Sequence, residues 1–151
     1  MKYVIDASMA TKFFTREVGS KQAQDLLQSA ATGNLELLAP TLLIYEVTTA
    51  LVRKRYASPS LQRQRIRQLF EACQLSLIDL IDIDCNILIE AGEIAREVTP
   101  DNKRPWTADA IYHALARREG IQLLTADNVY IERVRGFTKY QADVVLLSDL
   151  A

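Results

Sequence analysis

The chain opens with a short apolar run that stops at an aspartate, KYVIDAS at residues 2–8. Its β-branched and aromatic residues predict a buried strand that ends at Asp6. A second apolar run ends in the same way, in LLTADN at residues 123–128. Continuous apolar strands are typical of a parallel sheet covered on both faces, and such sheets bind ligands beyond the carboxyl ends of their strands. We therefore expect Asp6 and Asp127 to face one crevice.

The rest of the chain alternates predicted helices with short strands. Apolar residues at helical spacing and capping residues predict helices over 9–14, 20–33, 40–56, 59–73, 85–98, 107–118 and 128–135. Further strands are predicted over 35–38, 75–81, 121–124 and 144–147. The expected N-caps are Ser20, Ser58 and Thr107, and the expected first helical residues are Pro40 and Pro59. The pattern predicts an α/β three-layer sandwich with a mainly parallel central sheet and a protruding helical hairpin.

Length and composition limit the class of protein. The chain has 151 residues, of which 49% are hydrophobic and 25% charged. This predicts one globular domain over residues 1–151 and excludes a disordered chain, a collagen and a small secreted scaffold. The two cysteines, Cys73 and Cys85, lie among apolar residues and are predicted to be buried, reduced thiols. No signal peptide and no membrane span is predicted, so the expected location is the cytoplasm.

Two further carboxylates lie where simple solvation does not account for them. Glu46 has apolar neighbours three and four positions away on its predicted helix, so it either extends to water, pairs with a nearby arginine, or binds a metal ion. Asp109 lies in the first turn of its helix, where the helix dipole favours an anion. Each strand-end aspartate also has an ordinary alternative role as an N-cap.

Convergence of these four carboxylates would demand a counterion. Four like charges a few ångströms apart repel, and at least one would stay protonated unless a divalent cation balanced them. Hard carboxylate oxygens without a His or Cys cluster favour Mg²⁺ or Mn²⁺, and such a site is suited to phosphodiester hydrolysis. The single histidine, His113, cannot supply an acid–base pair and is predicted to lie on the surface of its helix.

The four carboxylates lie in four short motifs, which are DAS at residues 6–8, YEV at 45–47, TADAIYHALA at 107–116 and TAD at 125–127. Together these motifs resemble the ordered acidic motifs of PIN-domain ribonucleases, above all those of the toxin component of VapBC toxin–antitoxin pairs. The resemblance implies an endoribonuclease dependent on Mg²⁺ or Mn²⁺ that usually forms a homodimer. In the toxin branch it also implies inhibition by a cognate antitoxin.

The resemblance also implies roles for individual residues. The metal-binding and catalytic residues would be Asp6, Glu46, Asp109 and Asp127, with Ser8 and Thr125 as supporting hydroxyls. Some family members carry a further acidic residue soon after the last motif, whereas Asn128 and Val129 follow Asp127 here. The choice between one metal ion and two is therefore left open.

The near-neutral net charge of −1 conceals an uneven distribution. Between Glu46 and Glu71 the chain has no acidic residue and six basic ones, which are Arg53, Lys54, Arg55, Arg63, Arg65 and Arg67. The remaining 12 of the 18 basic residues face 19 acidic ones, a formal net charge of −7. The basic segment is either a solvated hairpin or a surface that holds an RNA backbone near the carboxylates. Lys103 and Arg104, with Trp106 as a base-stacking ring, form a second candidate RNA contact, unless Trp106 packs on the core.

Two other functions compete with the ribonuclease hypothesis. A non-catalytic binding module would keep the fold and use its surface for RNA or for a partner protein. A phosphoacceptor signalling domain also has an acidic crevice at its strand ends, but it would need a lysine after a later strand. The segment TAD at residues 125–127 offers none, so this alternative ranks last.

Overall fold

A computed structural model describes residues 1–54, 57–97 and 104–150. Its centre is a sheet of five parallel strands, in the spatial order β3-β2-β1-β4-β5. The strands are β1 (Lys2–Ile5), β2 (Glu36–Pro40), β3 (Asp79–Ile81), β4 (Gln122–Thr125) and β5 (Val144–Leu146). The predicted α/β sandwich with a parallel central sheet is confirmed.

Helices cover this sheet. Within the described ranges they are α1 (Ala7–Phe14), α2 (Ser20–Ala31), α3 (Leu42–Arg53), α4 (Pro59–Gln74), α5 (Cys85–Arg96), α6 (Thr107–Glu119) and α7 (Asn128–Arg135). Two single-turn 3-10 helices, Thr138–Tyr140 and Leu147–Asp149, flank β5. No helix in these ranges is both long enough and apolar enough to cross a lipid bilayer.

The order of the strands creates a switch point between β1 and β4. The chain moves outward from β1 to β2 and β3, then returns past β1 to β4 and β5. Because right-handed crossovers that run in opposite directions lie on opposite faces, α1 and α2 cover one face and α5 and α6 the other. Val4 pairs with Leu123 and Ile5 with Leu124, so the chain leaves both strands at the same level. The crevice lies there, as the doubly wound topology requires.

Several predicted boundaries were wrong. Pro40 ends β2, opposite Ile81, and α3 begins at Leu42. A strand end tolerates a residue without an N–H group, so proline fits there as well as at a helix start. The strand predicted from residue 75 begins only at Asp79, because α4 continues to Gln74.

Two of the three expected N-caps were also wrong. Ser58 caps α4, since its side chain accepts a hydrogen bond from the Leu61 N–H at 3.2 Å. The cap of α2 is Gly19, whose φ of 83° lies in the left-handed region, and Ser20 is already helical. The cap of α6 is Trp106, and Thr107 is the first helical residue.

The cysteines are more exposed to solvent than predicted, and the histidine is less exposed. Cys85 is exposed and Cys73 half-buried, and both are free thiols. His113, expected at the surface, is 0% exposed. The reason is that every residue of α6 from Ala110 to Ala116 is buried, because the helix packs against both the sheet and α5.

Candidate active site

Asp6 follows β1 directly, and its side chain is held by three surrounding groups. It is the N-cap of α1, where its Oδ1 accepts hydrogen bonds from the Met9 N–H at 2.8 Å and from Ser8 Oγ at 2.7 Å. Its other oxygen, Oδ2, accepts a hydrogen bond from Thr125 Oγ1. Only 5% of Asp6 is exposed. The carboxylate is therefore buried and fixed at the crevice floor.

Two hydroxyls join the ends of β1 and β4. Ser8 Oγ accepts a hydrogen bond from the Ala126 N–H at 2.9 Å, and Thr125 Oγ1 accepts one from the Asp127 N–H at 2.9 Å. Ser8 and Thr125 therefore donate to Asp6 and accept from the backbone that leads into α7. This network fixes the position of Asp6 relative to Asp127 across the switch point.

Asp127 caps α7 with one of its two oxygens. Its Oδ1 accepts hydrogen bonds from the Val129 N–H at 2.8 Å and the Tyr130 N–H at 3.3 Å. The capping role that the sequence offered as an alternative is thus real for both strand-end aspartates. It does not remove them from the crevice, because each side chain still lies at the carboxyl end of its strand.

Glu46 is held by a residue that sequence reasoning missed. Tyr112, on α6, donates a hydrogen bond from its hydroxyl to Glu46 Oε2 at 2.6 Å. The ring of Tyr112 is fully buried. Burial raises the pKa of Tyr112 first, and the negative charge of Glu46 raises it further, so the phenol stays protonated and donates. Spacing in the sequence could have identified Tyr112, since it follows Asp109 by three residues and shares its helix face.

The negative charges of the crevice carboxylates act on the pKa values of Asp6 and Asp109. Burial, and then the negative charges of Asp6, Asp127 and Glu46, raise the pKa of Asp109 to about 7. Burial raises the pKa of Asp6 to about 6, against the lowering effect of its three hydrogen bonds, and Asp127 adds to the rise. A cation in the crevice would oppose both shifts.

The donor set fits a hard divalent cation. All four side chains offer carboxylate oxygens, which favour Mg²⁺ or Mn²⁺ over zinc. Within the described part of the chain, however, no three His, Cys, Asp or Glu side chains form a group arranged to hold a metal ion. The fit therefore rests on donor chemistry and mutual repulsion.

The basic residues are less uniform than their sequence suggests. Arg53, Arg63 and Arg67 are exposed, but Lys54 pairs with Glu17. Arg65 was wrongly placed on the RNA-binding surface. It is only 7% exposed, and its Nη1 has no hydrogen-bond partner among the described residues. It lies on the buried stripe of α4 with Leu69 and Ala72, four and seven residues further on.

The second basic candidate is described only in part. Arg55 and Lys103 lie outside the described residues, whereas Arg104 is exposed. Trp106 is 68% exposed, so the alternative that it packs on the core is wrong. Its ring lies under the guanidinium of Arg133, a residue of α7 that sequence reasoning did not single out.

His113 belongs to a buried network that reaches towards the crevice through Tyr130, whose pKa is raised by burial and then by the negative charges of Asp109 and Asp6. Its Nε2 lies 3.1 Å from Asp143 Oδ2 and its Nδ1 lies 2.9 Å from the Tyr130 hydroxyl. A carboxylate only accepts, so Nε2 carries the proton and Nδ1 accepts from the tyrosine. Arg117 closes the network by donating to Asp143 Oδ2 at 2.6 Å and to Glu90 Oε1 at 2.6 Å.

A five-stranded parallel sheet with carboxylates at its switch point defines a PIN-like α/β fold. The chain belongs to the PIN domain family, whose model matches residues 3–136. No curated protein sequence matches it.

Solved structures with the same fold include toxins of VapBC pairs. VapC20 from Mycobacterium tuberculosis, a Sarcin-Ricin loop cleaving toxin, has a TM-score of 0.63 at 17% identity over 85% of this chain and 92% of its own. VapBC2 from Rickettsia felis, bound to a DNA fragment from its promoter, has a TM-score of 0.64 at 16% identity over 97% and 98% of the two chains. VapBC-1 from nontypeable Haemophilus influenzae has a TM-score of 0.65 at 12% identity over 99% and 100%. At these identities the likeness concerns the fold.

Proposed function

We propose that this chain is a metal-dependent endoribonuclease, the toxin of a type II toxin–antitoxin pair, with residues 1–151 acting as one nuclease domain. One observation carries the proposal: burial, with the negative charges of neighbouring crevice carboxylates added, raises the pKa of Asp6 to about 6 and that of Asp109 to about 7. A fold with no use for these charges gains nothing from their repulsion. Binding Mg²⁺ or Mn²⁺ would turn the repulsion into affinity.

The four carboxylates would hold Mg²⁺ or Mn²⁺. When bound, the metal would supply an activated water and charge stabilisation at the leaving oxygen of the phosphodiester. The chain's own groups prepare the ligands. Ser8 and Thr125 orient Asp6, and the Tyr112 hydroxyl fixes one oxygen of Glu46. Such orienting partners matter because a misdirected carboxylate loses both affinity and rate.

The decisive experiment compares two aspartates that each follow a strand. Asp6→Asn should abolish RNA cleavage in Mn²⁺ and leave the thermal unfolding transition cooperative. The matched control is Asp82→Asn, because Asp82 directly follows β3 at the outer edge of the sheet and is exposed. Cleavage by Asp6→Asn at the parent rate, or equal loss in Asp82→Asn, would contradict the assignment.

A binding module without catalysis is the second candidate, favoured by two observations. Among the described residues no three carboxylates are arranged to hold a metal ion, and Asn128 and Val129 follow Asp127 where some relatives have an acid. Calorimetric titration with Mn²⁺ separates the two functions. A nuclease should bind Mn²⁺ in the parent and not in Asp6→Asn, whereas a module without a working site should show no carboxylate-dependent heat.

We also propose a cognate antitoxin and a homodimer as partners. The structural neighbours from Rickettsia felis and Haemophilus influenzae are VapBC proteins. Exposed apolar side chains such as Tyr45 and Ile89, 73% and 55% exposed, would suit protein contacts. Co-expression with the product of a small neighbouring gene should give a stable complex and relieve growth inhibition. A monomer by light scattering, and overexpression without a growth defect, would count against these partners.

A further inference from the structure

Trp106 and Arg133 form a contact at the edge of the crevice. The Arg133 guanidinium carbon lies 5.1 Å from the centre of the Trp106 ring. Trp106 caps α6 three residues before Asp109, and Arg133 lies on α7, which Asp127 caps. The pair therefore joins the two helices whose first turns carry crevice carboxylates.

Each member of the pair has unused binding capacity. The Trp106 ring is 68% exposed although it is the largest apolar side chain near the site. The Arg133 Nε is buried and has no hydrogen-bond partner among the described residues. A buried donor left unpaired destabilises the folded protein, and an acceptor that reached it would recover that cost.

The positive charge of Arg133 opposes the effect of the negative crevice carboxylates on Asp109. It lowers the pKa of Asp109, against the larger effects of burial and the other three acids. Arg133 is therefore a cation whose charge acts on Asp109. It would hold a phosphate next to an acidic crevice that otherwise repels one.

A nucleotide has the two groups that this pair can bind, a phosphate and a base. A guanidinium binds phosphate oxygens through paired N–H groups, and an exposed indole ring stacks on a base of any sequence. Phospholipid headgroups, phosphoserine and phosphothreonine offer no aromatic ring for the indole. A single-stranded nucleic acid therefore satisfies both residues, and a duplex, whose bases are already stacked, does not.

We propose that Trp106 and Arg133 form an RNA clamp at the crevice, in which Trp106 stacks on an unpaired base and Arg133 binds an adjoining phosphate. The inference rests on RNA as the substrate of the proposed nuclease. It adds the residues that hold the strand beside the carboxylates and a preference for single-stranded over paired RNA.

The chain supplies its own reporter, because Trp106 is its single tryptophan. We would titrate the parent protein in EDTA with a ten-nucleotide single-stranded RNA and follow tryptophan fluorescence. Binding should quench the fluorescence, and an abasic oligonucleotide of the same length should leave it unchanged. Arg133→Ala should weaken binding about tenfold and reduce the slope of log affinity against log salt by about 0.7.

Two variants guard against a merely structural effect. Arg135→Ala is the matched control, because Arg135 lies on the same helix and pairs with Asp149 at 2.8 Å, and it should bind like the parent. Trp106→Phe should recover most of the affinity that Trp106→Ala loses, measured by the anisotropy of a labelled RNA because both variants lack the tryptophan reporter. In Mn²⁺, Arg133→Ala and Trp106→Ala should raise KM about tenfold and change kcat by less than about threefold.

The outcomes separate this inference from the proposed function. If the parent cleaves RNA but both alanine variants keep the parent KM, or if RNA leaves the fluorescence unchanged, the clamp is wrong and the nuclease stands. If the parent binds RNA with quenching but never cleaves it, the clamp stands and the nuclease is wrong. If Arg133→Ala changes only the pH profile, Arg133 balances charge and the clamp is wrong.

Discussion

The Tyr112 hydroxyl donates a hydrogen bond to Glu46 Oε2 across 2.6 Å and thereby ties α6 to α3 at the crevice. The contact joins two residues 66 positions apart in the chain. It leaves Glu46 Oε1 as the oxygen available to a cation. The buried phenol stays protonated at every physiological pH because its pKa is raised. A neutral donor next to a carboxylate orients it without neutralising it.

Tyr112→Phe should weaken metal binding without unfolding the protein. The ring keeps its packing, and Glu46 loses the group that fixes its rotamer. Loss of an orienting partner of a metal ligand typically costs about 10–100-fold in affinity. Calorimetry with Mn²⁺ measures the effect, and Tyr45→Phe is the control, because Tyr45 is 73% exposed on the same helix as Glu46. Equal affinities for Mn²⁺ in parent and Tyr112→Phe would show that the contact is only structural.

Asp109→Asn should stabilise the metal-free protein at alkaline pH. The folded pKa of Asp109 is raised to about 7, above its unfolded value, so the ionised form destabilises the fold. At pH 8 in EDTA we expect a gain of about 1–3 kcal/mol in the free energy of unfolding, after allowance for solvent screening. The gain should shrink as the pH falls through 7 and vanish near pH 4, where Asp109 is neutral in both states. A gain that does not change with pH would point to repacking.

Mn²⁺ should reverse the order of stability of these two proteins. A cation bound only by the folded state adds about 2.7 kcal/mol at 100 times its dissociation constant and about 4.1 kcal/mol at 1,000 times, which exceeds the advantage of about 1–3 kcal/mol expected for Asp109→Asn. The parent should gain this stability and Asp109→Asn should not. Thermal unfolding in EDTA and in increasing Mn²⁺ measures both. If Mn²⁺ shifts the two transitions equally, the cation binds somewhere other than the crevice.

His113 should make the fold sensitive to mild acid. Burial lowers the pKa of His113, so the unfolded chain binds its proton at a higher pH than the folded protein does. The stability that neutral His113 contributes is complete above about pH 6.5 and is lost as the pH falls below it. The difference in unfolding free energy between parent and His113→Gln should therefore shrink from pH 8 to pH 5.5.

Arg65→Met should be neutral or stabilising and should leave RNA affinity unchanged. A buried guanidinium with an unpaired Nη1 carries a desolvation cost that an apolar side chain of similar length avoids. Chemical denaturation and RNA titration test the two parts separately. Arg67→Ala is the comparison, since Arg67 is exposed two residues further along α4. A weaker affinity for RNA in Arg65→Met alone would restore Arg65 to the binding surface.

The features that the sequence predicted best depend on local rules. The β1 and β4 strands and the Ser58–Pro59 start of α4 follow from apolar runs and from a capping hydroxyl next to a proline. The prediction that Pro40 begins a helix was wrong because proline suits a strand end and a helix start equally. Only the pairing of Pro40 with Ile81 decides between them. That pairing joins strands separated by two helices, so no local rule contains it.

The candidate site likewise contains residues that local rules predict and residues that only contacts between elements reveal. The strand-end aspartates could be predicted because parallel strands end at one edge. His113 could not be placed, because a helix buried on all sides has no apolar stripe to show which positions face water. Arg133 and Tyr112 were missed for a related reason: their importance lies in what they contact, Trp106 and Glu46, and both contacts cross between elements.

Asp6 and Asp127 each cap a helix as well as facing the crevice. Selection for folding alone would therefore keep both aspartates in a descendant that had lost its chemistry. Glu46 and Asp109 lie inside α3 and α6 and cap neither. In a relative with this arrangement, decay of function should appear first at those two positions. The strand-end aspartates are retained as long as the fold is retained, whereas Glu46 and Asp109 indicate whether the chemistry is retained as well.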